Sequence, residues 1–179
     1  MLNKIFVGLT LVLLLVAIFS FSPQAHSSTQ AEIAVVNAGN AVGLSWTAGS
    51  PRWVGTNSFI FYTNETEAND TFYIEIRTYN AGDLLTWQIN LSFSPTLLQC
   101  TDAWLPVAHV FAGREVMLVP PLIDNNLGYV TYGASLLGEP TFTGNGTLCW
   151  VSFQIVKAPI GENETLAGEF AFDYPGEIG

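Results

Sequence analysis

Apolar and polar residues alternate with a period of two along most of this chain, and the alternating runs are short. The cleanest is Leu85 to Phe93. Leu85, Trp87, Ile89, Leu91 and Phe93 fall on one side, and Thr86, Gln88, Asn90 and Ser92 on the other. That is the signature of a strand with one face in a core. Thr71 to Tyr79 sets Phe72, Ile74 and Ile76 against Tyr73, Glu75 and Arg77, and Thr147 to Val156 groups Cys149, Val151, Phe153 and Ile155. Weaker runs are Glu32 to Asn37, Asn57 to Thr63, Leu97 to Cys100, Glu115 to Val119, Gly128 to Leu137 and Leu166 to Tyr174. Turn signals separate them: the polar stretch Asn64 to Asp70, then Ala81-Gly82-Asp83, Pro95, Pro120-Pro121, Asp124-Asn125-Asn126 and Gly144-Asn145-Gly146. Residues 101–114 read as a connection with room for one helical turn. No run has the period of an amphipathic helix. About nine short strands between turns predict an all-β chain folded as an antiparallel β-sandwich.

The longest apolar run stands apart from this pattern. Ile5 to Phe21 is interrupted only by Gly8, Thr10 and Ser20, follows Lys4, and leads to Pro23 and the small residues Ala25 and Ser27. Residues 1–27 therefore read as a secretory signal peptide. The other reading is an uncleaved anchor, although the run is short against the roughly 20 residues that span a bilayer. Both readings place the rest of the chain outside the cell, at the cell surface or beyond, with membrane contact only through the leader. The expected organisation is a leader at 1–27, an N-terminal segment with a short strand at 28–54, and the sandwich at 55–179.

An exported location changes how the composition is read. The net charge is −10, and Lys4 in the leader is one of only five basic residues. Such a surface repels nucleic acid and anionic lipid. The two cysteines, Cys100 and Cys149, read first as a disulfide in an oxidising compartment, and second as two buried thiols. Five sequons follow the leader, at Asn64, Asn69, Asn90, Asn145 and Asn163. Each fits the acceptor rule for N-glycosylation and, if used, must face solvent.

The order of the runs resembles a cohesin-type domain. The matching pieces are TFYIEIRTYNAGDLLTWQINLSFSPTLLQC, then HVFAG, then IDNNLGYVTYGASLLG, then TGNGTLCWVSFQIV, covering roughly residues 55–175. Phe93-Ser94-Pro95 matches the family's aromatic-x-Pro step, and Gly144 to Val156 its Gly-rich turn and penultimate strand. The resemblance implies a jelly-roll sandwich related to carbohydrate-binding modules, of the variety found on archaeal surface proteins. It also implies a partner that is a dockerin-like domain or another surface protein, held on one outer sheet face. Carried over by position, Thr86 and Gln88 lie on that face. Leu148, Trp150 and Ser152 are expected to join them, with Trp150 as the anchor. A glycan on Asn90 would stand in the middle of this surface. The same arrangement places Cys100 and Cys149 on facing sheets, bridged across the core.

Little in the chain suggests catalysis. His109 is the one histidine beyond the leader and lies among apolar residues, where a structural role is more common than a basic one. No nucleophile elbow or zinc motif occurs, and no acid pair sits in a recognisable setting. Asp124-Asn125-Asn126 with Gly128 resembles a fragment of a calcium loop, but lacks the alternating ligands and closing acid, so an Asx-type turn is expected and no cofactor or metal. Exposed aromatics are the better lead, with Trp150 ahead of Trp53 and Trp104. The function expected is therefore a non-enzymatic, extracellular protein-binding or scaffolding module, linked through the resemblance to polysaccharide-degrading assemblies. Two alternatives stand beside it. One is direct polysaccharide binding, which a planar strip of exposed aromatics would favour. The other is a structural subunit of a cell-surface layer or filament, which a detachable strand such as Glu32 to Asn37 would favour.

Overall fold

The computed structural model describes residues 31–37, 52–53, 57–63 and 66–172. The leader at 1–27 and the sequon residue Asn64 lie outside the described residues. Every regular element among them is a strand: β1 (Glu32–Asn37), β2 (Arg52–Trp53), β3 (Ser58–Tyr62), β4 (Thr71–Leu84), β5 (Thr86–Ser92), β6 (Leu98–Trp104), β7 (Val116–Asp124), β8 (Tyr129–Leu136), β9 (Phe142–Ile155), β10 (Thr165–Glu169) and β11 (Ala171–Phe172). They form sheet I, in the order β1-β4-β9-β6, sheet II, in the order β11-β5-β8-β7, and sheet III, in the order β10-β3-β2. All pairings are antiparallel. The chain is an all-β antiparallel sandwich.

Alternation explains how the layers close. Phe72, Ile74 and Ile76 of β4 and Val151, Phe153 and Ile155 of β9 turn to the inside of sheet I. Trp87, Ile89 and Leu91 of β5 and Val130, Tyr132 and Ala134 of β8 turn to the inside of sheet II. All belong to one buried cluster. Phe153 meets Phe93 at 5.1 Å between ring centroids and Phe170 at 5.0 Å. Phe59 of β3 reaches Phe170 at 5.2 Å, so sheet III closes on the same core. Burial of each such ring stabilises the fold by about 2–3 kcal/mol. The last two strands are one stretch of chain. β10 pairs with β3 in sheet III and β11 with β5 in sheet II. Between them lies the fully buried Phe170, whose N–H donates to the Asn57 carbonyl at 2.8 Å, while its own carbonyl accepts from Asn57 Nδ2 at 2.9 Å.

Several expected boundaries move. β1 pairs along its whole length with β4, from Glu32–Tyr79 to Asn37–Ile74, so the sandwich includes Glu32 rather than starting at 55. β4 does not turn at Ala81-Gly82-Asp83. It continues to Leu84 against β9 through register shifts, with Asn80 and Asp83 at φ of 53° and 50°. The partner strand runs through Gly144-Asn145-Gly146 in the same way, because a bulged ribbon accepts the left-handed backbone that those residue types tolerate. β6 extends to Trp104. β7 passes through Pro120-Pro121, and the register shift between Val119 and Leu122 takes both prolines out of the ladder with β8. Proline is tolerated there because β7 is an edge strand.

Candidate functional site

Four rungs of side chains cross the outer face of sheet II. The register sets Thr86 beside Ser135 and Met117, Gln88 beside Gly133 and Val119, Asn90 beside Thr131 and Leu122, and Ser92 beside Tyr129 and Asp124. Asp124, at one end, is the single charged residue in these three strands, although the chain carries 15 acids. Met117, Val119 and Leu122 are 54%, 47% and 59% exposed. Thr86 and Gln88 are exposed across the face from them. Gly133 keeps the centre low, since a Cβ there would lie 2.9 Å from the Trp87 carbonyl oxygen. Thr131 Oγ1 donates to Asn90 Oδ1 at 3.1 Å, which fixes the half-buried Asn90 amide within the face.

Only part of the expected patch lies here. Thr86 and Gln88 do, but β9 belongs to sheet I, so Leu148, Trp150 and Ser152 are not on this face. Each has its own reason. The register shift between Ile76–Cys149 and Arg77–Thr147 makes Leu148 an extra residue in β9 and turns it inward, where it is 1% exposed. Ser152 keeps its outward position, yet Tyr73 and Trp104 meet above it from the two flanking strands, and it is 6% exposed. Its hydroxyl is hydrogen-bonded to that of Thr101. Trp150 is half-buried, packed edge-to-face on Trp104 at 5.8 Å and 90° and opposite the buried Glu75, which pairs with Arg77 at 2.8 Å. Tyr73 and Trp104 also meet at 89°. The three rings interlock as a perpendicular cluster rather than a planar strip. Trp53 lies in β2, and its side chain is outside what is described.

The cysteines also depart from expectation. Cys100 and Cys149 are free, buried thiols. They sit on neighbouring strands of one sheet, and Cys100 pairs with Phe153, four residues from Cys149. At about 3.4 Å per residue that offset is far beyond the Cβ separation of a disulfide, about 4 Å. Burial pushes the Cys100 thiol up to about 12 and raises that of Cys149 as well, so both stay protonated.

The remaining polar candidates serve the fold. Asp124 Oδ1 accepts from the N–H groups of Asn126 and Leu127, both at 2.9 Å, which is an Asx-type turn. Asn125 reaches across to sheet I, accepting from the Cys100 N–H at 2.8 Å and donating to the Cys100 carbonyl at 3.0 Å. His109 Nδ1 accepts from the Phe111 N–H at 3.3 Å, and burial lowers its pKa. Among the described residues no group of three or more His, Cys, Asp or Glu is placed to hold a metal. Asn69, Asn145 and Asn163 are exposed.

The exposed β7 strip is absent from the expected site because Pro120-Pro121 reads as a stop. A signal was nevertheless present. Val116 to Leu122 contains no polar residue, so a strand there must put apolar side chains on its outer face.

No family model matches the chain, and no curated protein does. Solved structures do. Several of the similar structures are cohesin modules. One is the second type II cohesin module of the adaptor ScaA scaffoldin of Acetivibrio cellulolyticus, at 16% identity and a TM-score of 0.48, over 69% of this chain and 74% of that one. A type II cohesin in a cohesin–X-dockerin complex from the same organism matches at 16% identity and 0.46, over 67% and 81%. A non-cellulosomal cohesin from the hyperthermophilic archaeon Archaeoglobus fulgidus matches at 15% identity and 0.38, over 49% and 56%.

Proposed function

We propose that this chain is a non-catalytic protein-binding module that works outside the cell, and that its partner docks on the outer face of sheet II. The observation that carries the reading is the near-absence of charge there. An acidic protein keeps three adjacent strands free of charge except for Asp124 at one end, and exposes Met117, Val119 and Leu122 in a row beside Thr86 and Gln88. Neutral, partly apolar patches of this kind are what protein interfaces use at their centres. The partner class implied by the sequence resemblance is a dockerin-like domain or another surface protein. The extracellular setting rests on the leader pattern at 1–27, and N-glycans are proposed at the exposed Asn69, Asn145 and Asn163.

The test uses the chain as bait for proteins secreted by its own cell, alongside baits carrying Val119→Asp or Leu122→Asp. A buried charge at an interface centre should weaken binding by about tenfold or more, with the far-ultraviolet circular dichroism unchanged. Asn90→Gln should leave binding unchanged or stronger, since it removes a sequon from the face. A partner held equally well by both Asp variants would reject the face. Retention of polysaccharide but no protein would reject the protein-binding reading.

A further inference from the structure

We propose that β1 is an exchangeable strand, and that the edge of β4 accepts Glu32–Asn37 from a second copy of this chain in place of its own. The occupant is a second copy because the edge is already shaped for that sequence. Six consecutive residues of β1 pair with β4, and exchange reproduces each of these pairings. The strand is held lightly. Among the described residues it contributes one side chain, Val35, to the buried core, with Ile33 packed against it, while the other buried ones lie between 59 and 170. Residues 38–51 connect it to β2, a length that spans up to about 45 Å when extended. A connection of that length is long enough to reach a neighbouring molecule.

Other edges are less receptive. The backbone of Cys100, on the β6 edge, is occupied by the Asn125 amide. The β7 edge is interrupted by Pro120 and Pro121, which donate no hydrogen bond. β4 offers a run of backbone that takes a whole strand. Because contacts are the same in both forms, the balance depends on tethering. A strand on its own chain has an effective concentration of roughly millimolar order, so exchange grows as copies crowd together. Reciprocal exchange gives a closed dimer, and one-way exchange gives an open chain of subunits. The outer face of sheet II takes no part, so the proposal stands apart from the docking reading.

A disulfide trap distinguishes the forms. Glu32 and Tyr79 are directly opposed across β1 and β4, which sets their Cβ atoms roughly 5 Å apart, close to disulfide geometry. Full-length Glu32→Cys and Tyr79→Cys variants are mixed in a buffer of reduced and oxidised glutathione, whose disulfide is reduced as the protein cross-link forms, and the cross-link is mapped by peptide mass. The buried thiols of Cys100 and Cys149 do not compete. The expected product is a heterodimer of the two variants, bridged between the two introduced thiols, whose ratio to monomer rises about tenfold when protein concentration rises tenfold. The double variant, oxidised when dilute, should lock β1 onto its own chain and stay monomeric in light scattering where the unlocked chain associates. If Tyr79→Cys folds poorly, Ala34→Cys with Arg77→Cys reads another directly opposed pair of the same two strands. Only homodimeric cross-links, or a locked chain that associates like the unlocked one, would overturn the proposal.

Discussion

Asn125 stands in for a strand at the edge of sheet I. Its amide satisfies both backbone groups of the buried Cys100, and it comes from the β7–β8 turn of the other sheet. Asn125→Ala should lower unfolding free energy by about 1–3 kcal/mol, seen as a lower denaturant midpoint, because those groups lose their partners in a buried place. The thiol of Cys100 makes a second residue-scale prediction. It binds its proton more tightly in the folded chain, up to about 12 against an ordinary value of 9.0. Its contribution to stability is therefore intact below pH 9 and declines as pH climbs from there towards 12, because the unfolded chain ionises first. Melting temperature should fall over that range, and Cys100→Ala should make the fall shallower. An equally steep fall in that variant would count against this cause. Much of this scale was legible. Alternation correctly assigned Trp87, Ile89, Leu91 and Phe93 to the core. Leu85 departs from it at 43% exposed, since β5 begins only at Thr86. Leu148 and Ser152 were not legible, because a bulge and a roof of side chains from other strands depend on partners that local periodicity does not name.

At the scale of elements, strands with strong alternation were easy to read and bulged ones were not. β5 and the second half of β9 fall where the pattern puts them. The far ends of β4 and β9 are rich in Gly, Asn and Asp, which usually signal a turn. Here they supply the positive φ angles of a twisted ribbon, secured by Asn145 Oδ1 accepting from the Asn80 N–H at 2.7 Å. The β7–β8 turn did behave as read, and Gly128 is central to it. Its φ is 76°, and an added Cβ would lie 2.3 Å from the Phe93 carbonyl oxygen and 2.7 Å from Pro95 Cδ. Its own carbonyl accepts from the Phe93 N–H at 2.8 Å, so the turn cannot shift away cheaply. Gly128→Ala should cost about 2 kcal/mol or more by chemical denaturation. A loss below about half a kcal/mol, the range of an ordinary surface change, would show that the turn relaxes.

For the whole molecule, the sandwich was legible and the allocation of strands to sheets was not. Which strands share a sheet is decided by pairings distant in sequence, and the expected binding patch joined residues that the fold places on different sheets. Trp150 is the clearest case. Trp150→Ala should destabilise the chain by about 2 kcal/mol through lost packing on Trp104, and should leave binding on sheet II within about twofold, since that surface is untouched. A large loss of affinity in a fully folded Trp150→Ala protein would return the site to sheet I. The run from Thr165 to Phe172, which leaves sheet III and enters sheet II at the buried Phe170, has a dynamic consequence. A corner shared by two sheets cannot open for one of them alone. The amides of β3 and β5 on either side of that corner are therefore bound to exchange with solvent in a single cooperative event, and the small three-stranded sheet inherits the lifetime of the large one.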